Sequence, residues 1–453
     1  MSKISAVVLA AGKGTRMRSD RPKVLFEVYG KAILSHVTDN IKDAGIENIS
    51  LVVSPSSDEI REKYGDSFVY SVQETPLGTG HALLSAKEFM ENMGGKVYVA
   101  CGDAPLVDEG CIRQFISYAE EGEYDLCLLS ADIFYKNSYG RIVRDENGDM
   151  LRIVETKDAN EEERKITEVN SGTYLIDINK LLSCAGELQS NTSQKEYYLT
   201  DFVEIFRNHG YKVGAYKTED SDVVLGVNTR IDLAKINKVM QRRINEELML
   251  SGVSIIDPEN TYIEKDVIIG KDTVIYPGTF ISGKTVIGER NEIFSSRIIS
   301  SVIGNDNVIE SSTIEESSMG DHSKIGPYAH FRPKSSIGNG LKIGNFVELK
   351  NAHLADGVKA SHHAYLGDVD IEEDVNIGCG VITANYDGEN KHRSRIGRDS
   401  FIGCNSNIVS PVNVGERTFV AAGSNVTEDT PPGSFVIGRV RQETKVNKKH
   451  RYR

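Results

Sequence analysis

Residues 269–293 read IGKDTVIYPGTFISGKTVIGERNEI, and isoleucine returns at every sixth position: Ile269, Ile275, Ile281, Ile287 and Ile293. An α-helix repeats its apolar face about every 3.6 residues and a half-buried strand about every two, so neither explains this spacing. A parallel β-helix does, because three six-residue faces close one triangular coil and turn one apolar side chain per face inward. The period continues to Ile299, returns at Ile325, Phe331, Ile337, Ile343 and Leu349, and closes with Ile396, Ile402, Ile408, Val414, Val420 and Val426. Before the last run, TANYDGENKHRSR (383–395) breaks the stacking pattern and must loop out of the coil. It is either a tolerated insertion or a functional loop carried by a rigid scaffold.

Upstream the texture changes. ISAVVLA (4–10), ISLVVS (49–54), KVYVACGD (96–103), YDLCLLSAD (124–132) and SGTYLID (171–177) read as strands between amphipathic stretches. ILSHVTDNIKDAG (33–45) reads as a helix, with apolar residues at 33, 34, 37 and 41 and Gly45 past its end. This alternation predicts an α/β domain with a mostly parallel sheet covered on both faces. RIDLAKINKVMQRRINEELML (230–250) sets Ile236, Val239, Met240, Ile244 and Leu248 at helical spacing, which predicts one linker helix. The expected organisation is therefore an α/β domain over 1–229, a linker helix over 230–250 and a β-helix over 251–453.

Bulk properties narrow the function. A net charge of −13 argues against a nucleic-acid partner, which would need a basic face. The one basic run, Lys445–Arg453, reads as a solvated terminus. The first apolar run is broken by a glycine loop, and no apolar stretch is long enough to span a membrane, so the expected location is cytoplasmic. Cys101, Cys111, Cys127, Cys184, Cys379 and Cys404 are scattered without a CxxC or a histidine at ligand spacing. Neither a disulfide framework nor a structural zinc is expected from that pattern.

LAAGKGTRM (9–17) follows the first strand. Its lysine comes too early for a Walker A loop, and Gly12 and Gly14 lack the third glycine of a dinucleotide fingerprint. What remains is a glycine loop whose N–H groups can face phosphate, with Arg16 and Lys23 as cations beyond it. Asp103, just after a strand in CGDAP, lies where a parallel sheet opens its ligand crevice; it could bind a hard cation or cap a turn.

LAAGKGTRM with RPK (21–23) resembles the signature of the sugar-1-phosphate nucleotidyltransferases. The resemblance implies a Rossmann-like domain in which Leu9, Ala10, Ala11 and Gly12 meet a nucleoside triphosphate and Arg16 and Lys23 act at its phosphates. QETPLGTGHA (73–82) resembles the base-reading stretch, implying Gln73, Gly78 and Thr79 at a pyrimidine edge; uridine and thymidine both remain open. Gly140, Glu155 and Asn170, in SYGRIV, IVETKDA and VNSGTY, are the implied sugar contacts. Asp103 and Asn228 (in GVNT) are the implied Mg²⁺ ligands. The implied chemistry is attack of a sugar-1-phosphate oxygen on the α-phosphorus with loss of pyrophosphate. Alignment and charge neutralisation drive such a reaction without a covalent enzyme intermediate.

The β-helix carries polar residues that a plain scaffold does not need: Arg332, Lys350, SHHAYLGD (361–368), Asn376, NYDG (385–388) and Lys391. The paired histidines could simply face solvent. Alternatively, one could serve as general base for an amine arriving as ammonium. Over essentially its whole length the chain resembles the bifunctional bacterial N-acetylglucosamine-1-phosphate uridyltransferase/glucosamine-1-phosphate acetyltransferase family, which uses a left-handed hexapeptide β-helix. The resemblance implies His362 as the base and His363 as a bystander. It also implies Arg332 and Lys350 at the phosphate of glucosamine-1-phosphate, Tyr365 and Asn376 against the sugar phosphate, Asn385, Tyr386 and Lys391 at the reacting end, and Cys404, Ala422 and Arg439 along acetyl-CoA. Cys404 stands where a serine hydroxyl would be expected, and a thiol donates weakly.

The implied substrates are UTP, glucosamine-1-phosphate, N-acetylglucosamine-1-phosphate and acetyl-CoA. The product is UDP-N-acetylglucosamine, a peptidoglycan and cell-wall precursor, and the implied assembly is a homotrimer. The main alternative is a nucleotidyltransferase with one activity whose β-helix only assembles or regulates. A more distant one is a non-catalytic subunit, in which Arg16, Lys23 or Asp103 would be expected to be lost.

Overall fold

A computed structural model describes residues 3–135, 137–190 and 196–445. The basic run from 446 onward lies outside the described residues. The chain divides into two compact units, Met1–Met240 and Gln241–Arg453. Among the described residues no helix is long and apolar enough to cross a membrane.

The first unit is built on a sheet of β1 (Ile4–Leu9), β2 (Ile49–Val53), β3 (Val69–Val72), β4 (Lys96–Cys101), β5 (Leu126–Asp132), β6 (Arg141–Arg144), β7 (Met150–Val154), β8 (Glu168–Asp177) and β9 (Val213–Thr218). The strand order is β9-β5-β8-β4-β1-β2-β3, with the β6–β7 hairpin joined to β8. Helices α1 (Ile33–Asp43), α2 (Asp58–Tyr64), α3 (Thr79–Leu84), α4 (Lys87–Met93), α5 (Glu109–Glu121), α6 (Ile178–Cys184) and α7 (Asp201–Asn208) complete the unit before the linker helix. Both sheet faces are apolar: Ala6, Val8 and Leu51 enter one core, and Val7, Val52 and Val99 enter the other. That two-sided burial is why these strands read as continuous apolar runs.

The sheet is more mixed than the alternation predicted. β8 runs antiparallel to both β4 and β5. Between β5 and β8 the chain makes a hairpin instead of a crossover helix, and an antiparallel return needs no crossover. At the carboxyl ends of β1 and β4, Leu9 and Cys101 are in parallel register, so the 10–16 loop and Asp103 leave the sheet side by side. Parallel sheets open their ligand crevices at these ends.

Helix α8 (Arg230–Leu250) crosses the division between units. Ile236 and Met240 are buried in its first part. In its second part Gln241 and Asn245 are also buried; their amides donate to the Thr261 carbonyl at 2.7 and 3.1 Å. These two residues satisfy backbone carbonyls where the β-helix begins.

In the second unit every strand pair is parallel, as a left-handed β-helix of hexapeptide coils requires. Ile275, Ile281, Ile287 and Ile293 are all but fully buried, as are Ile343, Leu349, Ile402, Ile408 and Val420. The six-residue step fails at Ile299, however, because the inward residue is Ile298. The inward series there runs Ile293, Ile298, Ile303, with one residue removed from each of two corners. Ser295 and Ser300 turn those shortened corners at φ of 40° and 46°. A second line of buried polar side chains follows the coils, with Asn291 Oδ1 accepting from Asn307 N at 2.9 Å and Asn307 Oδ1 from Ser323 N at 2.8 Å. The 383–395 segment leaves the stack after Ala384, which still pairs with Val409, and rejoins it at Ser394. The outside carries stacked aromatic pairs, Tyr262–Phe280, Tyr328–Phe346 and Phe401–Phe419.

Candidate functional site

In the first unit the predicted cations and oxygen ligands meet at one point. Lys23 Nζ contacts Asp103 Oδ2 and donates to Asn228 Oδ1 at 3.3 Å. Arg16 donates to the same Asn228 oxygen at 2.9 Å. Asn228 is fixed by a capping box at the start of α8: Asp232 Oδ2 accepts from Asn228 N at 3.2 Å and Thr229 N at 2.8 Å. Thr229 and Asp232 are supports of Asn228 that the sequence reading missed, although T-x-x-D before a helix is a legible signal. Gly14 is required by the chain itself, because its φ is 59° and a Cβ would lie 2.8 Å from that of Lys23. Among the described residues a Cβ on Gly12 would meet nothing within 4 Å, so they do not themselves demand glycine there.

Gln73 is buried; its amide nitrogen donates to Gly78 O at 3.1 Å and lies 3.1 Å from His81 Nδ1. Gly78 has φ 110°, and a Cβ there would strike the Tyr197 carbonyl. The Thr79 hydroxyl accepts from Leu199 N at 3.0 Å. The 73–79 stretch is therefore clamped by residues 197–199, a segment that no motif had marked.

Leu9, Thr79, Glu155 and Asn170 line one cavity of about 290 Å³ with Lys157, Asp158 and Tyr198. Gly140 adjoins it: its carbonyl accepts from Asn170 N at 2.9 Å, and a Cβ there would lie 3.5 Å from Glu155 Oε1. Asn170 in turn donates to Tyr174 Oη at 2.7 Å. Burial raises the Glu155 carboxyl above its ordinary range, with Lys157 opposing. Cys101, in the same wall, is pushed up to about 12 by burial, with Asp103 adding and Lys23 opposing. It remains a thiol and not a nucleophile at neutral pH. Ala10 and Ala11 are buried beside the loop, and Ala10 N donates to Val52 O at 2.8 Å.

In the second unit the candidates fall into two groups on the coil stack. At one corner, Arg332 lies a coil from Lys350, and Lys391 arrives from the 383–395 loop to touch Lys350. Contact with Lys391 holds the Lys350 ammonium below its ordinary range, helped by desolvation and by Arg332 and opposed by Asp368. Arg332 donates to Glu348 at 3.0 Å. Burial raises the Asp368 pKa, but the Asn351 and Asn385 amides and the charges of Lys350 and Lys391 outweigh it, so the carboxyl lies below its ordinary range. Asp368 anchors Asn385 directly, a role the sequence reading did not assign. Tyr386 is exposed and bridges back to Lys391.

At another corner the register aligns a column. Lys342, Lys359, Asn376, Phe401 and Phe419 pair in sequence, so three residues further on Asn345, His362, Cys379, Cys404 and Ala422 occupy one corner of five successive coils. Arg439 continues beside it, 3.8 Å from where a Cβ on Gly423 would stand. His362 and His363 are both exposed, and His363 is turned aside at φ 31°. Among the described residues the His362 ring has no hydrogen-bond partner. Tyr365 lies between the corners, and His362 and Gly367 (paired with Lys350) are five residues apart on one strand, roughly 15 Å. Asn376 lies one coil below, half-buried.

Comparison with known proteins covers nearly the whole chain. The MobA-like NTP transferase domain family matches residues 6–141. The bifunctional protein GlmU of Clostridioides difficile strain 630 is 46% identical over 441 residues, 97% of this chain and 96% of that one. Those of Clostridium novyi strain NT and Acetivibrio thermocellus are 46% identical over 440 residues and 45% identical over 446. The alignments cover 97% of this chain and 96% of the first relative, and 98% and 97% for the second.

Proposed function

The chain belongs to the GlmU family of bifunctional transferases of UDP-N-acetylglucosamine synthesis, and from that premise we propose which residues carry the uridyl and acetyl transfers. In the first unit, Lys23 and Arg16 bind the phosphates of UTP and neutralise the charge that builds as pyrophosphate leaves. Gly12 leaves the ground over the loop clear for a close phosphate. Gln73, Gly78 and Thr79 take the uracil edge, and the cavity at Glu155, Asn170 and Gly140 takes N-acetylglucosamine-1-phosphate.

Asp103 and Asn228 would hold Mg²⁺. Their carboxylate and carboxamide oxygens are hard donors, and they already converge on a cationic group, the Lys23 ammonium. The ion would supply charge neutralisation at the triphosphate; Lys23 and Arg16 do the rest of the alignment.

In the second unit, the phosphate of glucosamine-1-phosphate sits on Arg332, Lys350 and Lys391, and the sugar lies along the face past Tyr365 and Asn376 toward His362. Asn385 and Tyr386 close over it from the loop. His362 takes a proton from the amine as its nitrogen attacks the thioester carbonyl; the C–S bond breaks, CoA leaves as the thiolate, and the thiolate takes up that proton. Acetyl-CoA runs along the corner column at Cys404, Ala422 and Arg439. The observation that carries a second active site is the gathering of cations at one corner, where Arg332 and Lys350 stand in register on successive coils and Lys391 returns from the 383–395 loop: a scaffold that only joins copies has no need to collect like charges there.

The protein works in the cytoplasm as a homotrimer and supplies cell-wall synthesis. Trimer formation is supported by Ile268, Val286 and Val302, which stand in register and well exposed on one outer face. The test is CoA release from acetyl-CoA by the purified protein, read by mass spectrometry with and without glucosamine-1-phosphate. Release that depends on the amino sugar supports the assignment. No release, with intact UDP-sugar formation from N-acetylglucosamine-1-phosphate, removes it. Sedimentation velocity at the mass of three chains checks the assembly.

A further inference from the structure

The first unit holds a cluster that neither transfer uses. Helix α6 ends at Cys184, the following turn carries Glu187, and His209 caps the C-terminus of α7. The Cys184 sulfur, a Glu187 oxygen and a His209 ring nitrogen all lie within 4.8 Å of one another. His209 Nε2 faces Glu187 Oε1 at 2.7 Å, and its ring stacks on Tyr211 with centroids 5.6 Å apart. We propose that Cys184, Glu187 and His209 form a binding site for one divalent transition-metal ion of the zinc class, which pins α6 to α7.

Three independent features point this way. The donors are a thiol, an imidazole and a carboxylate, the mixture that zinc accepts and that Mg²⁺, which takes only hard oxygens, does not. The site lies at the carbonyl ends of two helices, where partial negative charge favours a cation. Cys184 is buried while Glu187 and His209 are partly exposed, so the ion would have a dry sulfur beneath it and an open fourth position for water. On binding, the Cys184 S–H proton passes to solvent and the thiolate bonds the metal. The His209 ring keeps its proton on Nδ1 and turns its Nε2 lone pair from Glu187 to the ion. Thiolate and carboxylate together then balance the 2+ charge. The ligands are separated by 25 positions from Cys184 to His209, which is why no local motif announces them.

Full-length protein freed of metal by chelator dialysis would be titrated with Co²⁺ as a spectroscopic probe. The expected result is one equivalent of a near-ultraviolet sulfur-to-cobalt charge-transfer band with strong visible bands of four-coordinate cobalt. Zn²⁺ should erase both and raise the Tm; excess Mg²⁺ should leave them intact. His209→Ala, an exposed change that leaves the core packed, and Cys184→Ser should each lose the band. Cys379→Ser combined with Cys404→Ser should retain it. The proposal is overturned if the wild type gives no sulfur band, if the band survives in His209→Ala, or if it disappears only when Cys379 and Cys404 are changed.

Discussion

The α/β unit gathers its site from afar, whereas the β-helix unit leaves its site strung along the chain's own repeat. Arg16 and Asn228, 212 positions apart, share a hydrogen bond, and Lys23 reaches Asp103 in the same spot. In the β-helix, by contrast, residues meet because each coil returns to the same corner: His362, Cys379, Cys404 and Ala422 align by register alone. The first design packs a compact, mutually paired charge cluster. The second lays out a track, suited to a long ligand, and uses one loop, 383–395, to bring Lys391 back onto it. The difference also means that the two sites share no residue, so a lesion in one should leave the other intact.

That independence is tested most forcefully at the proposed general base. His362→Ala should lower acetyl transfer by about 10²–10⁴-fold, the usual worth of such a group, with uridyl transfer unchanged. His363→Ala, at the turned-aside neighbour, should change neither. Matched single-activity assays check both, and normal acetylation by His362→Ala would remove the base from the corner column. In the other unit, Lys23→Ala should lower kcat of uridyl transfer by about 10²–10³-fold, as loss of a preorganised charge at a reacting centre does. Acetyl transfer by the same variant should be normal.

Finer tests probe how each design holds its parts. Asp368→Asn removes the carboxylate that fixes Asn385 and offsets Lys350 and Lys391. KM for glucosamine-1-phosphate should rise roughly tenfold or more, in line with about 1.5–3 kcal/mol for hydrogen bonds to a charged group. Cys404→Ser restores a competent donor to the column and should lower KM for acetyl-CoA only a few-fold, the size of a neutral hydrogen bond of about 0.5–1.5 kcal/mol.

The contrast between the units also governs what was legible in the sequence. The β-helix announced itself because its period is written into every coil, yet the same regularity hid its exceptions. Ile298 and Ile299 are both apolar, and only the shortened corner at Ser295 decides which one points inward. The polar line through Asn291 and Asn307 carries no apolar period at all. In the α/β unit the glycine loop was readable because it is local. The antiparallel β8 was not, since strand direction depends on the connection and not on the strand's own residues. Nor could spacing reveal the clamp of residues 197–199 on Gly78, the hold of Asp368 on Asn385, or the meeting of Cys184 with His209. Each is made by tertiary contact between segments that look ordinary alone.

The smallest expected effect separates binding from folding within the first site. Burial raises the Glu155 pKa in the folded protein above its unfolded value, with Lys157 only partly opposing. Below both values the carboxyl is neutral in either state and contributes no difference. As pH rises through that interval the unfolded chain ionises first, and at neutral pH the folded protein carries the cost of a poorly solvated carboxylate. Glu155→Gln keeps the shape and removes that cost, so its Tm should exceed the wild type's at neutral pH and converge on it as the solution is acidified through the carboxylate range. Its KM for N-acetylglucosamine-1-phosphate should rise at the same time, because the sugar loses a charged acceptor. Thermal melts across pH, paired with uridyl-transfer kinetics, check both halves. A Tm gain that persists unchanged in acid would mean the carboxylate's charge is not what destabilises the site, and that repacking beside Gly140 is.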